Sequence, residues 1–324
     1  MGGGVLKLVR MTCCDSTEAN KRRSTLFESS DADSIRGEMT TTEQRGKARA
    51  LRELHSDQEV LVLPNVWDPI GARVLAAKGY PAVATASAAV SSALGFEDGE
   101  KIRRQTMLEI VARISRSVAV PVTADMETGY GTSLAELEDT IRCLLDTGAV
   151  GLNIEDSLEE GGSLRPVDEQ AERIATVRET AAAQGLDLLI NARVDAFLSD
   201  EFGRAEERIE ETVTRAEVYG KAGADCIYPI GPSDAETLTV LRSRITLPLN
   251  ALATPDAVPL ERMAAIGINR VSFGPFIFRS CLRKFVDIAE ALSQSAGYEC
   301  FGRELMTGSE ASLYLTSESE QDPR

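Results

Sequence analysis

Short apolar runs alternate along the chain with longer amphipathic stretches, the pattern of parallel strands joined by helices. Eight runs read as strands: 61–66 (LVLPNV), 82–87 (AVATAS), 120–127 (VPVTADME), 149–155 (AVGLNIE), 188–194 (LLINARV), 225–230 (DCIYPI), 247–252 (LPLNAL) and 269–274 (NRVSFG). Helix punctuation fills the intervals. Asp68-Pro69 sets a cap before a proline at the first helical position, and Ser133 with Glu136 and Ser233 with Glu236 have capping-box spacing. Gly79, Gly148, Gly185, Gly223 and Gly267 each stand just before a strand, where a helix end needs a left-handed residue. Eight strand–helix units in about 215 residues match an α/β fold of the (β/α)8 TIM barrel type. A doubly wound sheet would need a glycine-rich turn after its first strand, and Asn65-Val66-Trp67-Asp68-Pro69 stands there instead.

The pattern stops outside 41–302. Residues 1–40 and 303–324 lack periodicity and are rich in small polar and charged residues, so both are expected as disordered tails of one catalytic domain, with Met39 a second candidate start. The last helix, about 276–295, carries Phe276, Ile277, Phe278, Leu282, Phe285, Val286, Ile288 and Leu292. That face is wide for a helix lying on a barrel alone.

Charge and cysteine usage narrow the partners. Against 35 Lys+Arg stand 51 Asp+Glu, a net charge of −16 that argues against non-specific binding to nucleic acid or to an anionic membrane surface. The stretch from Gly79 to Phe96 is interrupted by Pro81, Thr85, Ser87, Ser91 and Ser92, too polar to span a membrane. Val5 to Val9 is too short for a signal-peptide core, so the cytoplasm is the expected compartment. The six cysteines form no CxxC pair, and His55 is the only histidine, which excludes a zinc finger. Cys143, Cys226 and Cys281 are expected in the core and His55 on the surface.

A barrel gathers its chemistry at the carboxyl ends of its strands. There the third strand offers Asp125 and Glu127, two apart and so on one side, with Gly129-Tyr130-Gly131 expected to leave space above them. The fourth strand adds Asn153 and Glu155, and the fifth Asn191, Arg193 and Asp195. Converging carboxylates raise one another's pKa unless a cation shares the site, and oxygen-only ligands favour Mg²⁺ or Mn²⁺. Arg193 can hold a carboxylate or face an oxyanion with its fork, or it can be a structural partner of Asp195 or Glu155. Thr85, Ala86 and Ser87 are small enough for backbone N–H groups to approach an anion. Asp98 lies in a loop able to cover the site, and Asn250 ends the seventh strand.

The succession Leu63-Pro64-Asn65-Val66-Trp67-Asp68, Thr85-Ala86-Ser87, Leu94-Gly95, Asp98, Asp125 to Gly131, Gly151 to Asp156 and Asn191-Ala192-Arg193 resembles the isocitrate lyase/phosphoenolpyruvate mutase superfamily over about residues 45–290. The resemblance implies a Mg²⁺-dependent barrel that makes or breaks C–C or P–C bonds beside a pyruvyl unit through an enolate. It implies that Asp125 touches the metal while Asp98, Glu127 and Glu155 hold its waters. Arg193 would face the enolate or carboxylate oxygen, with Glu155 and Tyr130 beside it as catalytic candidates. The backbone around Thr85, Ala86 and Ser87 would grip the small carboxylate substrate, and a C-terminal helix would be exchanged between the subunits of a homodimer or homotetramer; Asn250, from its place at a strand end, is a further substrate-binding candidate. The isocitrate and methylisocitrate lyases carry a Lys-Lys/Arg-Cys-Gly-His loop after the fourth strand; here 157–165 reads SLEEGGSLR, with neither Cys nor His and with Arg165 its only cation. Glu127 stands where many members have Asp. The expected function is a lyase or hydrolase acting on a small 2-oxo acid or carboxylic acid adduct. The alternatives are phosphoryl chemistry of the phosphoenolpyruvate mutase or carboxyphosphonoenolpyruvate phosphonomutase kind, and a non-catalytic metabolite-binding barrel.

Overall fold

The structure is a computed structural model describing residues 41–56, 59–158, 162–294, 298–302 and 305–315; the tail expected over 1–40 lies outside them. All eight expected strands are present and parallel. The first is split: β1 (Leu61–Leu63) pairs with β9 (Arg270–Ser272), while β2 (Asn65–Val66) pairs with β3 (Val83–Thr85). Pro64, which has no N–H to give a ladder, sits at the split. From β3 the sheet runs through β4 (Val122–Asp125), β5 (Gly151–Glu155) and β6 (Leu189–Val194) to β7 (Cys226–Pro229). A parallel bridge from Ile227 to Leu249 leads on to β8 (Asn250–Leu252), which pairs with β9 and closes the barrel. Asn65 sews the seam: its Nδ2 donates to the Thr85 carbonyl, and its Oδ1 accepts from the N–H groups of Phe273 and Gly274.

Helices α2 (Pro69–Ala77), α3 (Ser87–Ala93), α4 (Arg104–Ser117), α5 (Leu134–Asp146), α6 (Val167–Ala183), α7 (Ala205–Ala222), α8 (Ala235–Arg244) and α9 (Leu260–Ile266) lie between successive strands. Their apolar faces meet the outward strand residues in a buried core that includes Ile141, Leu144, Leu152, Ile154, Ile174 and Ile190. Asp68 and Ser133 cap α2 and α5 as their spacing predicts. For α8 the capping oxygen belongs to Asp234, which accepts from the Thr237 N–H, rather than to Ser233. The five glycines before strands all have positive φ, from 73° at Gly185 to 111° at Gly223.

Beneath the barrel lies α1 (Thr41–Ser56). It buries Ala48 and Leu51, and Gln44 donates to the carbonyls of Leu145 and Ala149. Arg52 grips both oxygens of Asp225 at 2.7 and 3.0 Å. His55, expected on the surface, is 2% exposed, with Nδ1 2.7 Å from the Leu51 carbonyl. Burial, and then the charge of Arg270, lower its pKa to about 3. The final long helix, α10 (Phe276–Ser293), buries none of its residues, and Cys281 on it is exposed rather than in the core; Cys143 is half-buried and Cys226 buried. Within the stretch expected as a C-terminal tail, a short helix, α11 (Gly308–Ser312), is closed by a Thr307–Glu310 capping box. No described helix is long and apolar enough to cross a membrane.

Candidate active site

Strand register brings the candidate residues together. Asp125 pairs with Asn153, Asn153 with Asn191, and Glu155 with Arg193, so acids and guanidinium stand side by side at the carboxyl rim. Above them opens a cavity of about 520 Å³ whose walls include Asp98, Glu127, Glu155, Arg193 and Asp195.

Arg193 is fully engaged. Its Nε and Nη2 each meet an Asp195 oxygen at 2.7 Å, and its Nη1 lies 2.6 Å from Glu155 Oε2. Both partners expected of a structural arginine are therefore present, on a side chain that also faces the cavity. Burial opposes the Arg193 charge, but Glu155 and Asp195 outweigh it and hold the guanidinium firmly protonated. The Glu155 carboxyl is pushed up by burial against the pull of Arg193, and Ser157 donates to its other oxygen.

Glu127 follows β4 with φ +51°, a left-handed conformation that turns its carboxylate into the site. Tyr130 donates its hydroxyl to Oε1 at 2.8 Å, and the Glu100 N–H donates to Oε2. Burial and then Asp98 raise its pKa to about 7. Tyr130 thus stands behind Glu127 and does not line the cavity wall. Its hydroxyl pKa is itself driven up by burial and by Glu127, which keeps it a donor. Glu100, not singled out by the sequence, organises this turn by accepting from Thr128 Oγ1 and the Tyr130 N–H.

The space expected above the acids is present in the cavity that Glu127 and Thr128 line, while the Gly129-Tyr130-Gly131 turn is itself tightly packed. A Cβ on Gly131 would lie 2.7 Å from the Leu137 nitrogen, because α5 packs directly on the turn. The buried Arg173 binds it from the other side, donating to the Thr128 and Gly131 carbonyls at 2.7 and 2.9 Å.

The segment expected to bind substrate carboxylate turns elsewhere. The Ser87 N–H and hydroxyl both donate to Asp125 Oδ2, at 2.9 and 3.0 Å, while Thr85 Oγ1 accepts from the Asp125 N–H. The Ala86 N–H is used by the Val66 carbonyl. Asn250 lies inside the barrel, 1% exposed, accepting from Ser272, and does not reach the cavity. Arg165 pairs with Glu169 and also stays off the wall, whereas Lys101 lines it.

Among the described residues no three acids are gathered as a ready ligand set. The expected convergence of carboxylates is thus met in position but not in orientation: Asp125 is held by Ser87 and Asn153, Glu127 by Tyr130 and Glu100, and Glu155 by Arg193 and Ser157. The donor set still fits a hard divalent cation. It is all oxygen, it is anionic in excess of Arg193, and Asp98 Oδ1 is buried without a hydrogen-bond partner.

A closed parallel barrel with acids and one doubly paired guanidinium around a rim cavity defines a barrel enzyme for small charged substrates. Residues 51–293 match the family described as phosphoenolpyruvate phosphomutase. The chain belongs to that family, and with it to the isocitrate lyase/phosphoenolpyruvate mutase superfamily of enzymes that cleave C–C or P–C bonds. It is 29% identical over 244 residues to 2-methylisocitrate lyase of Aeropyrum pernix, covering 72% of this chain and 75% of the relative. It is also 29% identical over 247 residues to oxaloacetate decarboxylase of Pseudomonas putida, covering 74% and 82%. A crystal structure from Burkholderia cenocepacia, provisionally assigned as a phosphonomutase, superposes with TM-score 0.71 at 36% identity, covering 75% of this chain and 99% of that one. Phosphonopyruvate hydrolase in complex with oxalate and Mg²⁺ shares the fold at TM-score 0.73 and 20% identity, covering 83% and 94%.

Proposed function

We propose that the chain is a Mg²⁺-dependent lyase or hydrolase that cleaves a C–C bond of a small 2-oxo acid, releasing pyruvate, oxalate or a similar product through an enolate. The observation that carries this reading is Arg193, held rigid by Asp195 and Glu155 at the wall of a 520 Å³ cavity otherwise rich in acids. A fork fixed in advance can stabilise an enolate oxygen as its charge grows, without reorganising. Asp125 is the residue to hold the cation directly, with Asp98, Glu127 and Glu155 around it. The cation, when bound, supplies Lewis-acid polarisation of the oxo acid. Tyr130 keeps the Glu127 carboxylate aimed at the cavity.

A second reading, P–C cleavage, is favoured by Lys101, a cation on the wall that could meet a phosphonate. One experiment separates them: purified protein with Mg²⁺ is given oxaloacetate, 2-oxo and 2-hydroxy dicarboxylates and phosphonopyruvate, following pyruvate release and phosphate by ³¹P NMR. Pyruvate or oxalate from a carbon acid, inhibited competitively by oxalate, supports the first reading; turnover of phosphonopyruvate alone supports the second. No turnover of any substrate, with metabolite binding retained, returns the chain to a non-catalytic barrel. We further infer a homodimer or homotetramer built on the exposed face of α10, and a cytoplasmic location in keeping with the Cys143, Cys226 and Cys281 thiols.

A further inference from the structure

We propose that Arg270 is a positioning residue for Asp125, acting from inside the barrel through the side-chain amide of Asn153. Arg270 on β9 is wholly buried, yet no carboxylate lies within ion-pair distance of it among the described residues. A guanidinium in such a place is costly to keep, which asks what it does there. Its Nη2 donates to Asn153 Oδ1 at 3.3 Å, and Asn191 Nδ2 donates to the same oxygen at 2.8 Å.

Two donors converging on one oxygen leave the amide a single orientation, with its NH₂ group turned to Asp125 Oδ1 at 3.3 Å. A flipped amide would set its oxygen against the Asp125 carboxylate and its NH₂ against two other donors. Ser87 fixes the opposite Asp125 oxygen, so the carboxylate is held from both sides. The register Asp125–Asn153–Asn191 makes the contact a property of the sheet and not of a mobile loop.

The metal arm of the test rests on the proposed role of Asp125. Titration of wild type, Arg270→Met and Arg270→Lys with Mg²⁺ alone in a calorimeter should show affinity about tenfold weaker in the Met variant, with most of it kept by Lys, which still offers a donor. In an Asn153→Ala background, Arg270→Met should cause no further loss. Asn191→Ala removes the other donor and serves if Arg270→Met does not fold. A second readout needs no metal: the Asn153 side-chain amide protons, followed by NMR, should exchange slowly in wild type and quickly in Arg270→Met and Asn191→Ala. Unchanged Mg²⁺ affinity in a folded Arg270→Met, losses that add in the double variant, or unaltered amide exchange would each overturn the proposal. If wild type itself takes up no Mg²⁺, the metal reading of Asp125 falls, and the amide exchange alone decides for or against the clamp.

Discussion

Arg193 holds two carboxylates and faces the cavity, so its substitution should register in two measurements at once. Arg193→Lys keeps the charge but cannot meet Asp195 with a fork and Glu155 together. The expected outcome is a melting temperature lowered by a few degrees and kcat lowered on the order of 10²-fold, measured well below the melting point. Lowered melting with unchanged kcat would leave Arg193 a purely structural residue. His55 carries a different expectation. Its folded pKa of about 3 lies below the ordinary 6.5, so its contribution to stability is complete above pH 6.5 and is lost as pH falls toward 3. Between pH 7.5 and 5 that loss is about 2 kcal/mol, which His55→Gln should remove from the pH dependence of urea unfolding. Parallel slopes for the two proteins would show that His55 is not neutral and buried. At this scale Asp125, Glu127, Glu155 and Arg193 were legible because strand ends display them at fixed spacing. Arg173, Glu100 and Arg270 were not, because their meaning lies in partners 28 to 117 residues away. His55 was misread for the same reason, since helical spacing shows which residues share a face but not that the face closes a barrel.

The elements were the most readable level. Short apolar runs alternating with amphipathic stretches gave every strand, and five left-handed glycines marked the helix ends. The break within the first strand was hidden, although Pro64 signalled it, because both halves remain apolar on one side. At α8, Ser233 and Asp234 are adjacent candidates of equal chemistry, and only backbone direction decided for Asp234. The tight packing of the Gly129–Gly131 turn against α5 was not legible in the sequence, and it can be tested. Gly131→Ala places a methyl group against the backbone of α5, an overpacking expected to cost about 1–3 kcal/mol in urea unfolding. The same displacement moves Tyr130 and Glu100, the two partners of Glu127, so kcat should fall further than the lost stability explains. A Gly131→Ala protein with wild-type stability and rate would show that the turn yields freely.

For the whole molecule, the sequence showed the barrel and the wide apolar face of the last helix, of which Phe278 packs edge-on against Trp67 while the outer part stays open to solvent. Phe285 is 69% exposed and Leu282 47%, more apolar surface than one helix usually offers water. Light scattering at micromolar concentration should give two or four times 34.9 kDa, and Phe285→Glu should shift the mass downward; a wild-type monomer would remove the oligomer. The underlying helix α1 has a consequence of another sort, set by the direction in which the chain is made. Its anchor, Arg52, bonds Asp225, a residue 173 positions later. At roughly 5–20 residues per second, α1 leaves the ribosome on the order of 10–30 s before that partner exists. A lone 16-residue helix is marginal in water, so over that interval α1 rests on contacts made earlier, such as those with Leu145 and Ala149, and is only loosely docked. A synthesis intermediate stalled before Asp225 has emerged should therefore be cut by protease within α1, and the finished chain should resist the same cut.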